Sequence, residues 1–217
     1  MLFRSVEKII SGTNQIEVNQ KIDLKFTEVL HAVLRQDPDI MMIGEIRDAE
    51  TAQIAIRAAL TGHLVFSTLH TNDALATITR LIDMGVEAHM IPEALKGIIS
   101  QRLVRRICER CKEEYTISEE ERLALRLNEG IKTFRGVGCA YCRGTGYKGR
   151  FAVYEILSMK EHRSKRLLKT TKNGTKKLNI AHLRKGMVTI RENLLRNVNL
   201  GNTTVEEMRR IVFGSDY

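Results

Sequence analysis

Two groups of residues in this 217-residue chain have types and spacings suited to chemistry. The first is the run Asp39-Ile40-Met41-Met42-Ile43-Gly44-Glu45-Ile46-Arg47-Asp48, where a short unbroken apolar segment leads straight into a glycine and a carboxylate. A nucleotide hydrolase holds its water-activating acid in this way, because a rigid strand fixes the carboxylate and glycine leaves room for phosphate and magnesium. A second apolar run ends in Ser67-Thr68-Leu69-His70, which adds hydroxyls and an imidazole at a comparable height, placed to sense a terminal phosphate. A plainer role also fits Glu45 taken alone: capping the next helix or pairing with Arg47.

The second group is Cys108-x-x-Cys111 with Cys139-x-x-Cys142. Four thiolates close a tetrahedral zinc site, each pair chelating through a tight turn, and with sulfur in every position none stays open for a substrate. The expected metal is therefore structural Zn2+, about one per chain. Redox chemistry of the C-x-x-C type competes with this reading, but neither pair opens a thioredoxin-like unit. Gly144-Thr145-Gly146-Tyr147-Lys148-Gly149 has the letters of a dinucleotide fingerprint, yet it follows a cysteine pair and leads into an apparent strand, so it lacks the helix N-terminus that holds pyrophosphate. Turns of the metal module explain these glycines. His31, His89, His162 and His182 have no ligand-like spacing and read as structural or solvated.

The elements that must position these groups follow from periodicity. Phe26, Val29, Leu30, Val33 and Leu34 mark a helix that stops before Asp37-Pro38. Ile40 to Ile43 and Leu64 to Phe66 read as strands buried on both faces. Between them Asp48 caps a helix carrying Ala52, Ile56, Ala59 and Leu60, ended by Gly62. A further helix starts at Asn72 or Asp73, runs through Leu75, Ile78, Leu81 and Ile82, and closes at Gly85. Such alternation predicts an α/β fold with parallel strands joined by crossover helices, and function at the strands' carboxyl ends. Residues 98–107 look helical, with Arg102, Arg105 and Arg106, before the texture turns to cysteine, glycine and charge. Ser118 with Glu121 forms a capping box for a short helix. Phe151 to Tyr154 reads as a strand, and the remainder as mainly helical, basic between Lys160 and Lys177, with a turn at Asn173-Gly174. The expected domains are residues 1–104, 105–150 and 151–217.

A hydrophobic content of 43% is enough to fill a core. The net charge of +9, with a pI near 9.5, suggests a negatively charged partner: nucleotide, nucleic acid or the anionic inner face of a membrane. No apolar run approaches the roughly 20 residues that span a bilayer, so a cytoplasmic location is expected, where disulfides are disfavoured. Aromatic content of 5% without Trp argues against a base-stacking surface, which weakens an otherwise available reading as a basic zinc-ribbon nucleic-acid-binding module. Arg47, Arg80, Arg102, Arg105 and Arg106 are candidates for reaching a phosphate bound at a neighbouring subunit, with a solvated helix face as the plain alternative. Arg47 leads, two residues past Glu45.

From Gly12-Thr-Asn-Gln through Leu34-Arg35-Gln36-Asp37-Pro38-Asp39, Gly44-Glu45-Ile46-Arg47-Asp48, Thr61-Gly62-His63 and Ser67-Thr68-Leu69-His70-Thr71-Asn72-Asp73, the chain resembles the type II secretion and type IV pilus assembly ATPases. The resemblance continues through Arg80 to Gly85, Gln101 to Arg106, the cysteine pairs, Gly144 to Arg150 and Gly186-Met187. It implies that Glu45 is the atypical Walker B glutamate, that His63 and His70 are the two histidines of the His box, and that Glu7 is the last acid of the Asp box. It further implies ATP with Mg2+ as substrate and cofactor and a homo-hexameric ring at the cytoplasmic face of the inner membrane. An inner-membrane platform protein is the implied partner, with no direct nucleic acid. The implied fold is an incomplete RecA-like core with a tetracysteine zinc module and a small helical C-terminal region.

The sequence departs from that family at its beginning. It contains no G-x-x-x-x-G-K-[ST] loop, and Met-Leu-Phe-Arg-Ser stands where the first part of the Asp box is expected. The expectation is thus a C-terminal part of a longer ATP-hydrolysing motor that alone binds ATP negligibly; a non-catalytic ring subunit is the alternative. Glu45 is further expected to share one cleft with both imidazoles, His63 and His70.

Overall fold

A computed structural model describes residues 2–3, 6, 8–18, 25–159, 168–170, 176–178 and 183–214. Glu7 and the Asn173-Gly174 turn lie outside the described residues. The chain divides into two units, residues 1–98 with 157–186, and residues 99–156 with 187–217.

The first unit is built on a four-stranded parallel sheet. Its strands are β1 (Leu2–Phe3), β2 (Ile16–Glu17), β3 (Ile40–Ile43) and β4 (Leu64–Ser67), in the spatial order β2-β1-β3-β4. Helices α1 (Phe26–Leu34), α2 (Ala49–Leu60), α3 (Ala74–Asp83) and α4 (Ile91–Ala94) alternate with or follow the strands. The α/β class and the parallel pairing of the two apolar runs agree with the sequence reading. Both long-range starts are set by carboxylates: Asp48 accepts from the Thr51 N–H at 2.8 Å and Asp73 from the Ala76 N–H at 2.7 Å, satisfying donors that a helix start leaves orphaned. Leu30, Met41, Ile43, Ala52, Ala74, Ile78 and Ile91 are buried and supply this unit's apolar interior.

The strands are not buried on both faces as expected. Met41 and Ile43 are buried, but Ile40 is 63%, Leu64 43% and Phe66 54% exposed. Pairing of Ile40 with Leu64 and of Met42 with Phe66 puts these side chains on one face, and β4 ends the sheet, so a continuous apolar run here does not mean double burial.

The second unit holds β5 (Gly97–Ile107), whose first two residues belong to the other unit, β6 (Lys112–Glu114), α5 (Glu119–Ala124), β7 (Phe134–Gly136) and most of β8 (Tyr147–Ser158). The expected helix over residues 98–107 is therefore a strand. Apolar residues at 98, 99, 103, 104 and 107 do not alternate but fall on both faces of a strand, and pairing with β8 overrides the pattern: Ser100 and Val104 are buried while Ile99 and Leu103 are exposed. Two short strands, β9 (Leu168–Thr170) and β10 (Lys176–Leu178), pair antiparallel inside the basic segment expected to be helical. Helices α6 (Ile190–Asn199) and α7 (Val205–Phe213) close the chain, and Leu194, Val198, Val205 and Met208 pack with Val104, Leu125, Leu127 and Val153 in one cluster. Ser118 caps α5 through the Glu121 N–H, as read from the sequence.

Glu207 on α7 is fully buried, and its charge is matched rather than neutralised. It accepts from the Arg105 N–H at 2.7 Å, from Arg105 Nε at 2.7 Å and from Arg210 Nε at 3.0 Å. Burial raises its pKa, but the bonds from Arg210 and Arg105 outweigh that and hold the carboxyl below its ordinary 4.5. The stability it contributes is thus present above pH 4.5 and is lost as pH falls below that value. Glu207→Ala leaves Arg210 without its carboxylate and Arg105 with only Glu206, at 3.3 Å; because both guanidinium groups stay partly exposed, the expected loss is about 3 kcal/mol, read as a lower midpoint in urea unfolding followed by circular dichroism.

Candidate functional site

The first candidate site grows from the carboxyl ends of β3 and β4, where the register pairs Ile43 with Ser67. Beyond the strands the two chains stay joined. The Ile46 N–H donates to the Thr68 carbonyl at 3.0 Å, and the Thr68 hydroxyl donates back to the Gly44 carbonyl at 2.6 Å. Glu45, between these two bonds, can scarcely shift its backbone. Its side chain is 15% exposed; Oε1 lies 2.6 Å from an Arg47 guanidinium nitrogen and Oε2 lies 3.4 Å from His70 Nε2. The structure therefore brings together Glu45, Arg47, Thr68 and His70. Arg47 and His70 are well exposed, so water screens both charge contacts and they orient the carboxylate more than they stabilise the fold.

His63 does not join them. It precedes β4 while His70 follows it, and a four-residue strand at ~3.3 Å per residue puts roughly 13 Å between its ends. The His63 N–H donates to the Ala58 carbonyl at 3.2 Å, and Nδ1 lies 3.0 Å from that same oxygen and 3.2 Å from the Thr61 hydroxyl. A carbonyl only accepts, so Nδ1 carries the hydrogen there. The expectation of one cleft with both imidazoles is corrected to one imidazole, because the two histidines flank a strand instead of sharing an end of it. Arg80 is exposed in the last turn of α3 and makes no ion pair with Glu45 among the described residues. Arg105 is committed to Glu207 within its own unit, and Arg106 lies over the Phe151 ring at 4.9 Å.

The second candidate is the cysteine cluster. All four sulfurs lie within 4.8 Å of one another, with Cys108 to Cys139 at 3.9 Å, Cys111 to Cys142 at 3.8 Å and Cys139 to Cys142 at 3.7 Å. A tetrahedral ion with metal–sulfur bonds of about 2.3 Å sets its ligands roughly 3.8 Å apart, which these three pairs match, and the 4.8 Å bound on the rest asks for shifts of at most about 1 Å. The spacing far exceeds the roughly 2.05 Å of a disulfide, and all four thiols are free. Burial opposes a charge on Cys142, but N–H groups of Cys139 and Gly146 pointing at its sulfur, at 3.2 and 3.3 Å, more than offset this and hold the thiol at about 6. Burial and the neighbouring thiols push Cys111 up to about 12.

The sequence reading did not anticipate these N–H donors, nor the Thr68 to Gly44 bond, although glycine spacing held a signal for the first. Gly136 and Gly146 press backbone against backbone, and a methyl group on either would overlap the other's main chain. That approach lets Gly146 serve both Cys142, through its N–H, and the Cys108 N–H, through its carbonyl at 2.9 Å.

Compared with known proteins, the chain matches the family model described as type II/IV secretion system protein over residues 4–210. It is 51% identical over 207 residues to the type IV pilus assembly ATPase PilB of Thermus thermophilus, covering 94% of this chain and 23% of that protein. It is 43% identical over 208 residues to the type II secretion system protein E of Pseudomonas aeruginosa, covering 95% of this chain and 41% of that one. Among solved structures, the pilus retraction motor PilT with bound ADP is similar with a TM-score of 0.62 at 26% identity, over 97% of this chain and 51% of that one. The Legionella pneumophila ATPase DotB shares the fold with a TM-score of 0.68 at 21% identity, over 99% of this chain and 51% of that one. This chain thus spans about a quarter to two fifths of the curated relatives it matches.

The sulfur geometry makes a direct prediction. Titration with Co2+ as a spectroscopic probe should give thiolate charge-transfer absorption that saturates near one ion per chain, and Cys142→Ser should weaken binding by about a hundredfold or more. Absence of the band in reduced protein would show that the four sulfurs do not act as one ligand set.

Proposed function

The chain belongs to the type II/IV secretion system protein family, and from that premise we propose that it forms the acid-bearing part of an ATP-hydrolysing motor that powers type II secretion or type IV pilus assembly. One observation carries this reading: Glu45 stands at the carboxyl end of β3, fixed by the Ile46 to Thr68 and Thr68 to Gly44 bonds, with His70 Nε2 3.4 Å from its Oε2. Ligands of open α/β sheets bind outside the carboxyl ends of the strands, where this acid stands.

In the proposed mechanism Glu45 orients and polarises the attacking water, and His70 reports or stabilises the terminal phosphate. Thr68 keeps the acid at fixed height. Mg2+ bound with ATP would neutralise the phosphate charge, and Glu7 would belong to the network of waters around it. Arg47 pairs with the acid at 2.6 Å, while Arg80 is assigned to phosphate contact across a subunit boundary. His63, tied to the end of α2 through Ala58 and Thr61, is assigned to the opposite end of β4 and away from the water. The RecA-like character of the core, the hexameric ring, the inner-membrane platform partner and the cytoplasmic location belong to the same proposal. These 217 residues contain no G-x-x-x-x-G-K-[ST] loop of their own. Cys108, Cys111, Cys139 and Cys142 would hold structural Zn2+, whose closed four-sulfur shell stabilises the fold of its module and offers no position for substrate.

The test joins this chain to an upstream nucleotide-binding half. Glu45→Gln should lower ATP turnover by roughly a hundred- to ten-thousandfold with ATP binding retained, measured by phosphate release and by titration with a fluorescent ATP analogue. Unchanged turnover refutes the role of Glu45. The 217-residue chain alone should bind ATP negligibly, because it has no phosphate-binding loop, and micromolar affinity would falsify that expectation.

A further inference from the structure

Residues 131–154 contain five basic side chains, Lys132, Arg135, Arg143, Lys148 and Arg150, and no Asp or Glu. The structure adds a second regularity. Among the described residues six cations lie over aromatic rings, all between residues 105 and 151, against about one such contact per 70–80 residues in proteins generally. Two of them share one ring at the cysteine module. Tyr141, inside the second cysteine pair, lies under Arg110 from the first pair at 4.1 Å and under Lys148 at 4.9 Å. Tyr141 is 45% exposed, and Arg110, Arg143 and Lys148 are exposed around it. Arg143 leaves the pair in the left-handed region, with φ 55°, and starts the turn into Gly144.

We propose that Arg110, Tyr141, Arg143 and Lys148 form a docking surface for an acidic polypeptide segment of a partner protein. This goes beyond the motor reading and stands without it. A cation held over a ring loses rotamer freedom beforehand, which prepares it to take a carboxylate. Charge balance at the metal site accounts for only part of the cluster: four thiolates around a divalent ion carry net charge −2, and residues 131–154 alone supply five cations.

Two other anionic partners fit less well. Single-stranded nucleic acid binds by stacking bases on open ring faces, and these rings already carry cations. A membrane surface rewards apolar side chains that enter the interface, and Val137 is the one large aliphatic side chain strongly exposed between residues 131 and 150.

The test uses the full chain loaded with Zn2+ and a labelled peptide of alternating Glu and Ser, at roughly 0.15 M salt, with fluorescence anisotropy as the readout. Arg110→Ala with Lys148→Ala should weaken binding about tenfold, while removing two exposed charges from the other unit, Arg35→Ala with Arg57→Ala, should change it less than about twofold. Tyr141→Ala should also weaken binding although net charge is unchanged, and Tyr141→Phe should keep it. Equal zinc content in every variant verifies the fold. No peptide binding, equal losses for the two double variants, or tighter binding of anionic phosphatidylglycerol vesicles or an oligothymidine at matched charge overturns the proposal. An intact Glu45-dependent ATPase would leave any of these failures independent of the motor reading.

Discussion

Parallel pairing between β3 and β4 sets the height at which Glu45 and His70 emerge, and the candidate acid site depends on it. Side chains alternate along a strand, so a slip of one residue in β4 would send His70 to the other face and separate the Thr68 hydroxyl from the Gly44 carbonyl. The register is held from both ends. At the start the Leu64 N–H donates to the Asp39 carbonyl at 3.0 Å, and past the end Thr68 makes both of its bonds to the β3 side. Asp48 then starts α2 at once, so only Glu45, Ile46 and Arg47 lie between the Gly44 turn and a fixed helix cap.

The cysteine module meets a different constraint. Four thiols in a small unit repel one another once charged, and burial makes each charge dearer; donors from the backbone are the available remedy. Cys142 receives two of them, from Cys139 and Gly146, and the donor geometry exists because Gly136 and Gly146 are bare enough to touch. Glycines whose spacing imitates a dinucleotide motif here let backbone N–H donors reach sulfur.

Periodicity made the first unit legible: α1, α2 and α3 with their Asp48 and Asp73 caps, and two parallel strands, all follow from apolar spacing and capping chemistry. The four cysteines were equally legible, since two C-x-x-C pairs admit few arrangements. Residues 98–107 were not, because their apolar positions do not alternate and only the partner strand β8 makes them a strand. His63 and His70 were expected in one cleft because the family resemblance matches both to its His box, and that resemblance does not say that a strand stands between them. Glu207 gave no signal at all. A buried carboxylate in α7 is recognisable only with Arg105, a hundred residues earlier in the chain, lying against it.

The contact between Glu45 and Arg47 bears on the motor reading in one further respect. A carboxylate whose lone pairs face a guanidinium at 2.6 Å is a weaker acceptor for a water's proton than a free one, so the arrangement seen is a resting one under that reading. Release is cheap, because Arg47 is 57% exposed and water already screens the pair. A phosphate arriving near the strand ends competes for Arg47 with more negative charge than Glu45 offers, and each step of that exchange draws the guanidinium outward and leaves the carboxylate open to water. His70, 88% exposed, can swing with little loss of packing, whereas Glu45 cannot, since the strand beneath it and the Thr68 bonds beside it fix its root. The acid is thus the still point of the site, and its two neighbours are the parts free to move.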